Sequence, residues 1–254
     1  MIKTKENIVK IKKLKFIFIS LLSITIIGAV LNLNTSITVG KDWQCRQIKM
    51  PLYIKWTEFL ARHYEYGRMA KEITAGYDDN GKEVLALLRW THQNIKDVPP
   101  GMPVMDDHIL YIIVRGYGVP EQFQDVFTTL CTYAGIPAFW RKIRDREHKT
   151  TYPISFVLLN GKWRVFDAYR ARYFIADNGE IASVEDILKK PSLVKGDDID
   201  HIYIDGVPYK EFFNNMGPVS RPQTLRAEKQ MPLHRIVYET KRAFKLEKDD
   251  GSSL

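Results

Sequence analysis

The chain has 254 residues, 45% of them hydrophobic, enough for one domain with a substantial core plus appendages. Its formal charge of +8 is concentrated at one end: Lys3, Lys5, Lys10, Lys12, Lys13 and Lys15 stand against Glu6 in residues 1–15, a net +5 that leaves +3 for the remainder. That remainder lacks the basic footprint of a nucleic-acid binder, so nucleic acid is not an expected partner.

Directly after the lysines comes FIFISLLSITIIGAVLNL, Phe16 to Leu33, inside a stretch (16–40) without a charge. Eighteen helical residues reach about 27 Å, close to the hydrocarbon thickness of a bilayer. Lysines before the run predict a cytoplasmic N-terminus, with the bulk of the chain on the far side. A cleaved signal peptide is the competing reading. No A-x-A-like site is obvious after Ala29, so an uncleaved anchor over 16–39 is expected.

Residues 40–55 read as a tether, 56–240 as a folded domain and 241–254 as a flexible tail. From Trp56 to Met69 aromatic and apolar residues recur at helical spacing, and Val84, Leu87, Leu88, Thr91 and Ile95 line one face of a helix over 82–97. The VPPGMP run ends it. DDHILYIIVR (106–115) fits a helix or a buried strand. Pro120 suits the first turn of a helix, where no amide hydrogen is needed. From there Phe123, Val126, Phe127, Leu130, Cys131 and Ala134 share one face, Gly135 caps the helix, and Pro137 prevents continuation. A strand over 137–144 follows. ISFVLL (154–159), the Asn160-Gly161 turn and KWRVFDAY (162–169) give a strong hairpin signal. Further on come a strand at YFI, a DNG turn, a helix opened by Ser183 with Asp186 three residues on, and a strand-like HIYIDGVPY. Helices first and antiparallel strands afterwards predict an α+β arrangement.

The helix closing on GIPA (135–138), the glycine turn GYG (116–118) before it, and GKWRVFDAY (161–169) after it resemble the transglutaminase-like superfamily. The resemblance covers about residues 70–170. It implies a papain-like α+β core of helices packed on an antiparallel sheet. In active members a helix N-terminus lowers the pKa of a nucleophilic cysteine, a histidine takes its proton, and an aspartate orients the histidine. Carried over by position, the aspartate falls on Asp167, four residues after Trp163. The cysteine position, fifteen residues before Gly135, is Pro120. The histidine position, about fifteen before Asp167, is Tyr152. The resemblance thus implies a degenerate site with no catalytic residues and no cofactor, Tyr152 being a poor general base at its ordinary pKa.

Glu121 and Gln122, in the first turn where an acid complements the helix dipole, complete the candidate binding set with Tyr152 and Asp167. His148 is a displaced base if the hairpin register differs. Cys131 lies eleven residues beyond Pro120, about 16 Å along a helix, on the apolar stripe, and reads as a core residue. No spacing indicates a metal. Asp106, Asp107, His108 and Asp167 could converge, but Asp106-Asp107 reads as a turn or cap. Trp56, Trp90 and Trp140 read as core aromatics, and Trp163 as packing under the hairpin. Arg141, Lys142, Arg144 and Arg146, diluted by Asp145 and Glu147, read as a solvated face. Cys45 and Cys131 could pair in an oxidising compartment, though their spacing does not show it.

The resulting expectation is a membrane-anchored, non-catalytic transglutaminase-like domain acting in binding or assembly. The resemblance adds a setting, the bacterial envelope, with an envelope protein or a glycan as partner. Two alternatives stand beside it: a hydrolase or acyltransferase with a displaced triad, and a structural partner in a membrane complex.

Overall fold

A computed structural model describes residues 2–42, 44–106, 108–145, 147, 149–195, 199–216, 219, 222 and 225–243. Arg146 of the basic run, the candidate base His148, Asp107 of the acidic pair and most of the expected tail (244–254) lie outside the described residues.

Helix α1 (Ile2–Leu31) contains the apolar run, and its Lys12–Leu31 portion has a mean hydropathy of 2.4. One helix near the N-terminus is therefore long and apolar enough to cross a membrane. It ends before residue 39. Strand β1 (Asn34–Lys41) begins three residues later and pairs along its whole length with β2 (Gln44–Pro51). Residues expected as the end of the anchor and a tether thus form an antiparallel hairpin. The Leu52 amide donates to the Leu33 carbonyl at 2.9 Å, so α2 (Leu52–Thr74) starts where α1 ends.

Helix α3 (Asn80–Asn94) opens on Asp79, whose carboxylate accepts from the Lys82 amide at 3.1 Å. Two short strands, β3 (Lys96–Asp97) and β4 (Met105–Asp106), flank the proline-rich loop. The ambiguous 106–115 stretch is resolved as helix α4 (Ile109–Arg115), closed by Gly116 at φ 71°. The turn continues through β5 (Tyr117–Gly118) into α5 (Pro120–Tyr133), with Pro120 at the first helical position as expected. Gly118 is required here: a Cβ would stand 2.7 Å from Gln122 Oε1, which folds back to accept from the Val119 amide at 3.1 Å. At the other end Gly135 (φ 86°) completes a Schellman motif. Ile136 N donates to the Cys131 carbonyl at 2.9 Å and Gly135 N to the Thr132 carbonyl at 3.1 Å.

The main sheet is antiparallel, in the order β6 (Ala138–Arg144), β7 (Thr151–Leu159), β8 (Lys162–Asp167), β9 (Arg172–Tyr173). Asn160 (φ 51°) and Gly161 (φ 73°) make the two-residue turn that fixes the β7–β8 register, Leu159 opposite Lys162. Alternation then divides the sheet into two faces. Val157, Leu159 and Phe166 pack against α2–α5 around Tyr66, Leu87, Phe127 and Cys131. Ile154, Phe156 and Val165 face the other way. That second face is covered by α6 (Val184–Lys189), the pair β10 (Tyr203–Ile204) and β11 (Val207–Pro208), and α7 (Tyr209–Asn214). The expected Ser183–Asp186 capping box is present at α6. HIYIDGVPY, read as one strand, is two strands joined at Asp205 and Gly206, both at positive φ. A last helix, α8 (Pro232–Ala243), follows a short turn at Glu228–Gln230.

The tryptophans divide. Trp90 packs on the first core, and Trp163 packs on Phe139 with centroids 4.9 Å apart. Trp140 is half-buried, with Nε1 donating to Asp125 Oδ1 at 2.6 Å. Trp56 is 39% exposed, contrary to expectation, because it stands near the start of α2, whose buried residues begin only at Arg62. Both cysteines are free, Cys45 exposed and Cys131 fully buried.

Candidate functional site

Asp167 ends β8 and Tyr152 stands at the start of β7, so the antiparallel hairpin brings them together across 15 residues of sequence. The Tyr152 hydroxyl lies 3.2 and 3.1 Å from the two Asp167 carboxylate oxygens. Asp167 is only 1% exposed, so its charge must be met inside the protein. Tyr209, from α7, donates to Oδ2 at 2.9 Å. The Arg170 amide donates to Oδ1 at 3.2 Å, and its guanidinium reaches Oδ2 at 3.5 Å while also donating to the Tyr152 hydroxyl. Gln124, from α5, places Nε2 3.5 Å from Oδ1. Its own Oε1 accepts from Ser155 Oγ at 2.6 Å and from the Ala168 amide at 3.2 Å.

The local electrostatics follow from this packing. Burial, reinforced by the Asp167 carboxylate, pushes the Tyr152 and Tyr209 hydroxyls far above the usual phenol range. Both therefore donate at physiological pH and neither can accept a proton from a substrate. The Arg170 guanidinium stacks on the Tyr152 and Tyr209 rings at 4.7 and 5.3 Å. Asp167 is consequently met by two hydroxyls, one backbone amide, one guanidinium and, at 3.5 Å, the Gln124 side-chain amide.

Pro120 is half-buried at the N-terminus of α5, one helical turn before Gln124. Glu121 forms an ion pair with Lys142 at 2.9 Å. Gln122 is buried and holds the chain together locally: Nε2 donates to the Met105 carbonyl at 2.6 Å, and Oε1 accepts from Arg115 at 3.2 Å. Neither side chain joins the Asp167 cluster, so the four candidate binding residues do not form one constellation. Cys131 is in the core, where burial raises its thiol pKa well above the ordinary value. Among the described residues no group of three His, Cys, Asp or Glu side chains is placed to hold a metal ion.

Beyond Arg170 lies an open depression of about 510 Å³, lined by His92, Lys96, Asp97, Tyr169, Arg170 and Arg172 among others. His92 Nδ1 is 2.9 Å from the Tyr169 carbonyl. Burial and a hydrogen bond to Asp97 push the Tyr169 hydroxyl up to about 12. Sequence reasoning missed Tyr209, Gln124 and Arg170. Arg170 was readable as a cation three residues from a buried acid. Tyr209 and Gln124 carry no local signal of the contact they make.

Residues 67–168 match the model of the transglutaminase-like superfamily. Two solved structures are similar to part of the chain. One, described as a "putative cysteine protease", is from Cytophaga hutchinsonii, with 19% identity and a TM-score of 0.37 over 48% of this chain and 41% of that one. The other, a "putative protease" from Parabacteroides distasonis, has 16% identity and a TM-score of 0.34 over 40% of this chain and 22% of that one. The chain thus spans less than half the length of either. No curated protein matches it. The helix-to-GIPA segment and the β7–β8 hairpin both lie inside the matched region, so it is over residues 67–168 that the chain is similar to the transglutaminase-like superfamily.

Proposed function

We propose that this transglutaminase-like domain is non-catalytic and acts in binding or assembly at a bacterial cell envelope, held to the inner membrane by α1. The observation that carries the reading is the state of Asp167. In the position that orients a histidine in active relatives, its carboxylate is buried and committed to Tyr152, Tyr209 and Arg170. The nucleophile position is Pro120, which has no side-chain donor, and the base position is a tyrosine held protonated. The former catalytic groups are thereby converted into a polar buttress between the two faces of the sheet. The depression outside Arg170, with Lys96, Arg170 and Arg172 against Asp97, offers a surface for an anionic group on an envelope glycan or protein.

Thiol chemistry on intact cells and on the purified full chain tests both halves. Cys45, exposed after the anchor, should react with a membrane-impermeant maleimide added outside; reaction from the cytoplasmic side alone would reverse the topology. Cys131 should resist iodoacetamide at mildly acidic pH until the protein is denatured. Its rapid alkylation in the native state would revive a displaced-triad hydrolase.

A further inference from the structure

Helix α2 carries an apolar stripe that its own domain does not cover. At 3.6 residues per turn, Tyr53, Trp56, Leu60 and Tyr64 fall within an arc of about 80°. All four are exposed, Tyr64 by 67%. Glu58, Glu65, Arg68 and Glu72 occupy a separate arc of the same helix, where Arg68 bonds Glu65 and Glu72, while Lys71, two turns beyond Tyr64, continues the line of the stripe as an exposed cation. Such segregation on the outer half of a helix exceeds what a solvated surface requires.

A second unpartnered face stands beside the stripe. His63 borders it on the helix wheel, and its Nδ1 is 2.9 Å from the Tyr133 hydroxyl. That hydroxyl donates to the Gln230 carbonyl at 3.0 Å. Helix α8 begins two residues later, carrying Leu233, Ile236 and Val237 at helical spacing and all exposed, Leu233 by 77%.

The position of these faces identifies their occupant. The Leu52 amide bonds the Leu33 carbonyl, so the stripe begins within one turn of the point where α1 ends. Tyrosine and tryptophan are the side chains that favour the headgroup level of a bilayer. Exposed cations lie along the hairpin that leaves this junction, Lys49 three residues before Leu52 and Arg46 three residues further from it. We infer that α2 and α8 form a membrane-docking surface, by which the domain lies against the anionic bilayer that α1 spans. The inference rests on α1 being a membrane anchor. Docking fixes the side of the domain turned to the lipid and leaves the second face of the sheet turned away from it.

The test uses the full chain in nanodiscs containing an anionic lipid, in a Cys45→Ser background. An environment-sensitive fluorophore is placed at Tyr64→Cys, at Leu233→Cys, or at Glu185→Cys on α6 across the sheet. Doxyl-lipid quenching at the first two sites should exceed that at Glu185 by roughly two-fold or more, with iodide showing the reverse order. Equal, iodide-dominated quenching at all three sites would overturn the docking. So would shielding from both quenchers seen only in discs that hold two copies, which would assign the stripe to a second copy. Alkaline carbonate separates the two levels of the argument. Extraction of the chain from membranes would remove the anchor and the docking together, whereas retention with water-facing labels would sink the docking alone.

Discussion

The two faces of the main sheet are covered in different ways. The first is covered by α2, α3, α4 and α5, three of them at least fourteen residues long, with caps and periodic apolar positions. The second is covered by two six-residue helices, two-residue strands and turns. No single piece of that layer could hold its own conformation. Its order comes from aromatic packing: Phe213 lies 5.2 Å from Phe174, 5.0 Å from Tyr209 and 5.6 Å from Phe212, ring centre to ring centre. The family match ends at residue 168, just where this second layer begins. Asp167 sits on the seam, bonded to Gln124 from the first layer and Tyr209 from the second.

The largest expected effect breaks the second layer. Phe212→Ala empties a fully buried site and should cost about 3–5 kcal/mol. Because Tyr209 and Asp167 couple the layers, urea unfolding should remain a single transition, shifted to lower denaturant, by fluorescence and by circular dichroism alike. Separate transitions would show that the second layer is an accessory that unfolds on its own.

The seam itself is next. Asp167→Ala leaves the Arg170 guanidinium facing two hydroxyls without its counter-charge, and removing one partner of a buried pair costs about 3–5 kcal/mol. Arg170 is not fully enclosed, so water can relieve part of this, and the lower end of that range is expected. Asp167→Ala combined with Arg170→Ala should be less destabilising than the sum of the single changes. Additivity in that cycle would mean that the buttress does not act as a unit.

The difference between the layers also explains what could be read from the sequence. Pro120, Gly135 and Asn160-Gly161 each act through their own backbone, so the bounds of α5 and the turn of the β7–β8 hairpin were legible, whereas β7 starts at Thr151, three residues before the strand read from ISFVLL, and it is that extension that carries Tyr152 to Asp167. The β1–β2 hairpin was not, because QCRQIKMP is solvent-facing on both sides for most of its length and shows no alternation. At β10–β11 a signal existed in Asp205-Gly206 and was passed over, since each strand is too short to show a period. Trp56 was expected in the core because hydrophobic periodicity marks a face without saying how far along the helix that face is covered, and in α2 burial begins only at Arg62. Gln124 and Tyr209 reach Asp167 from elements 43 and 42 residues distant, a contact that only the fold creates.

A pH experiment sharpens the comparison at smaller cost. Tyr152 and Tyr209 have folded-state pKa values raised by burial and by Asp167. Their contribution is therefore complete below the unfolded value near 10 and is lost as pH rises above it, where the unfolded chain ionises first. Each such tyrosine steepens the alkaline decline by about 1.4 kcal/mol per pH unit. Tyr152→Phe should cost about 1.5–3 kcal/mol at pH 8, through the lost bond to a carboxylate. Above pH 10 the variant should then decline less steeply than the parent. Parallel declines in urea midpoint would show that Tyr152 ionises normally in the folded protein.

The smallest effect belongs to Cys131. It lies on the face of α5 that meets the first core, with no exposed surface, and burial keeps its thiol protonated. Cys131→Ala removes one sulfur atom from a packed stripe and should cost about 1–2 kcal/mol, the transfer of that atom plus a cavity too small for water. Chemical denaturation of the variant measures it. Both outcomes outside that range are informative. A cost near zero would mean that α5 closes over the gap and that the first layer is more pliable than its long helices suggest. A folded variant of normal stability that no longer supports the protein's role in cells would give the thiol a chemical task, which its position eleven residues along α5 from Pro120 argues against.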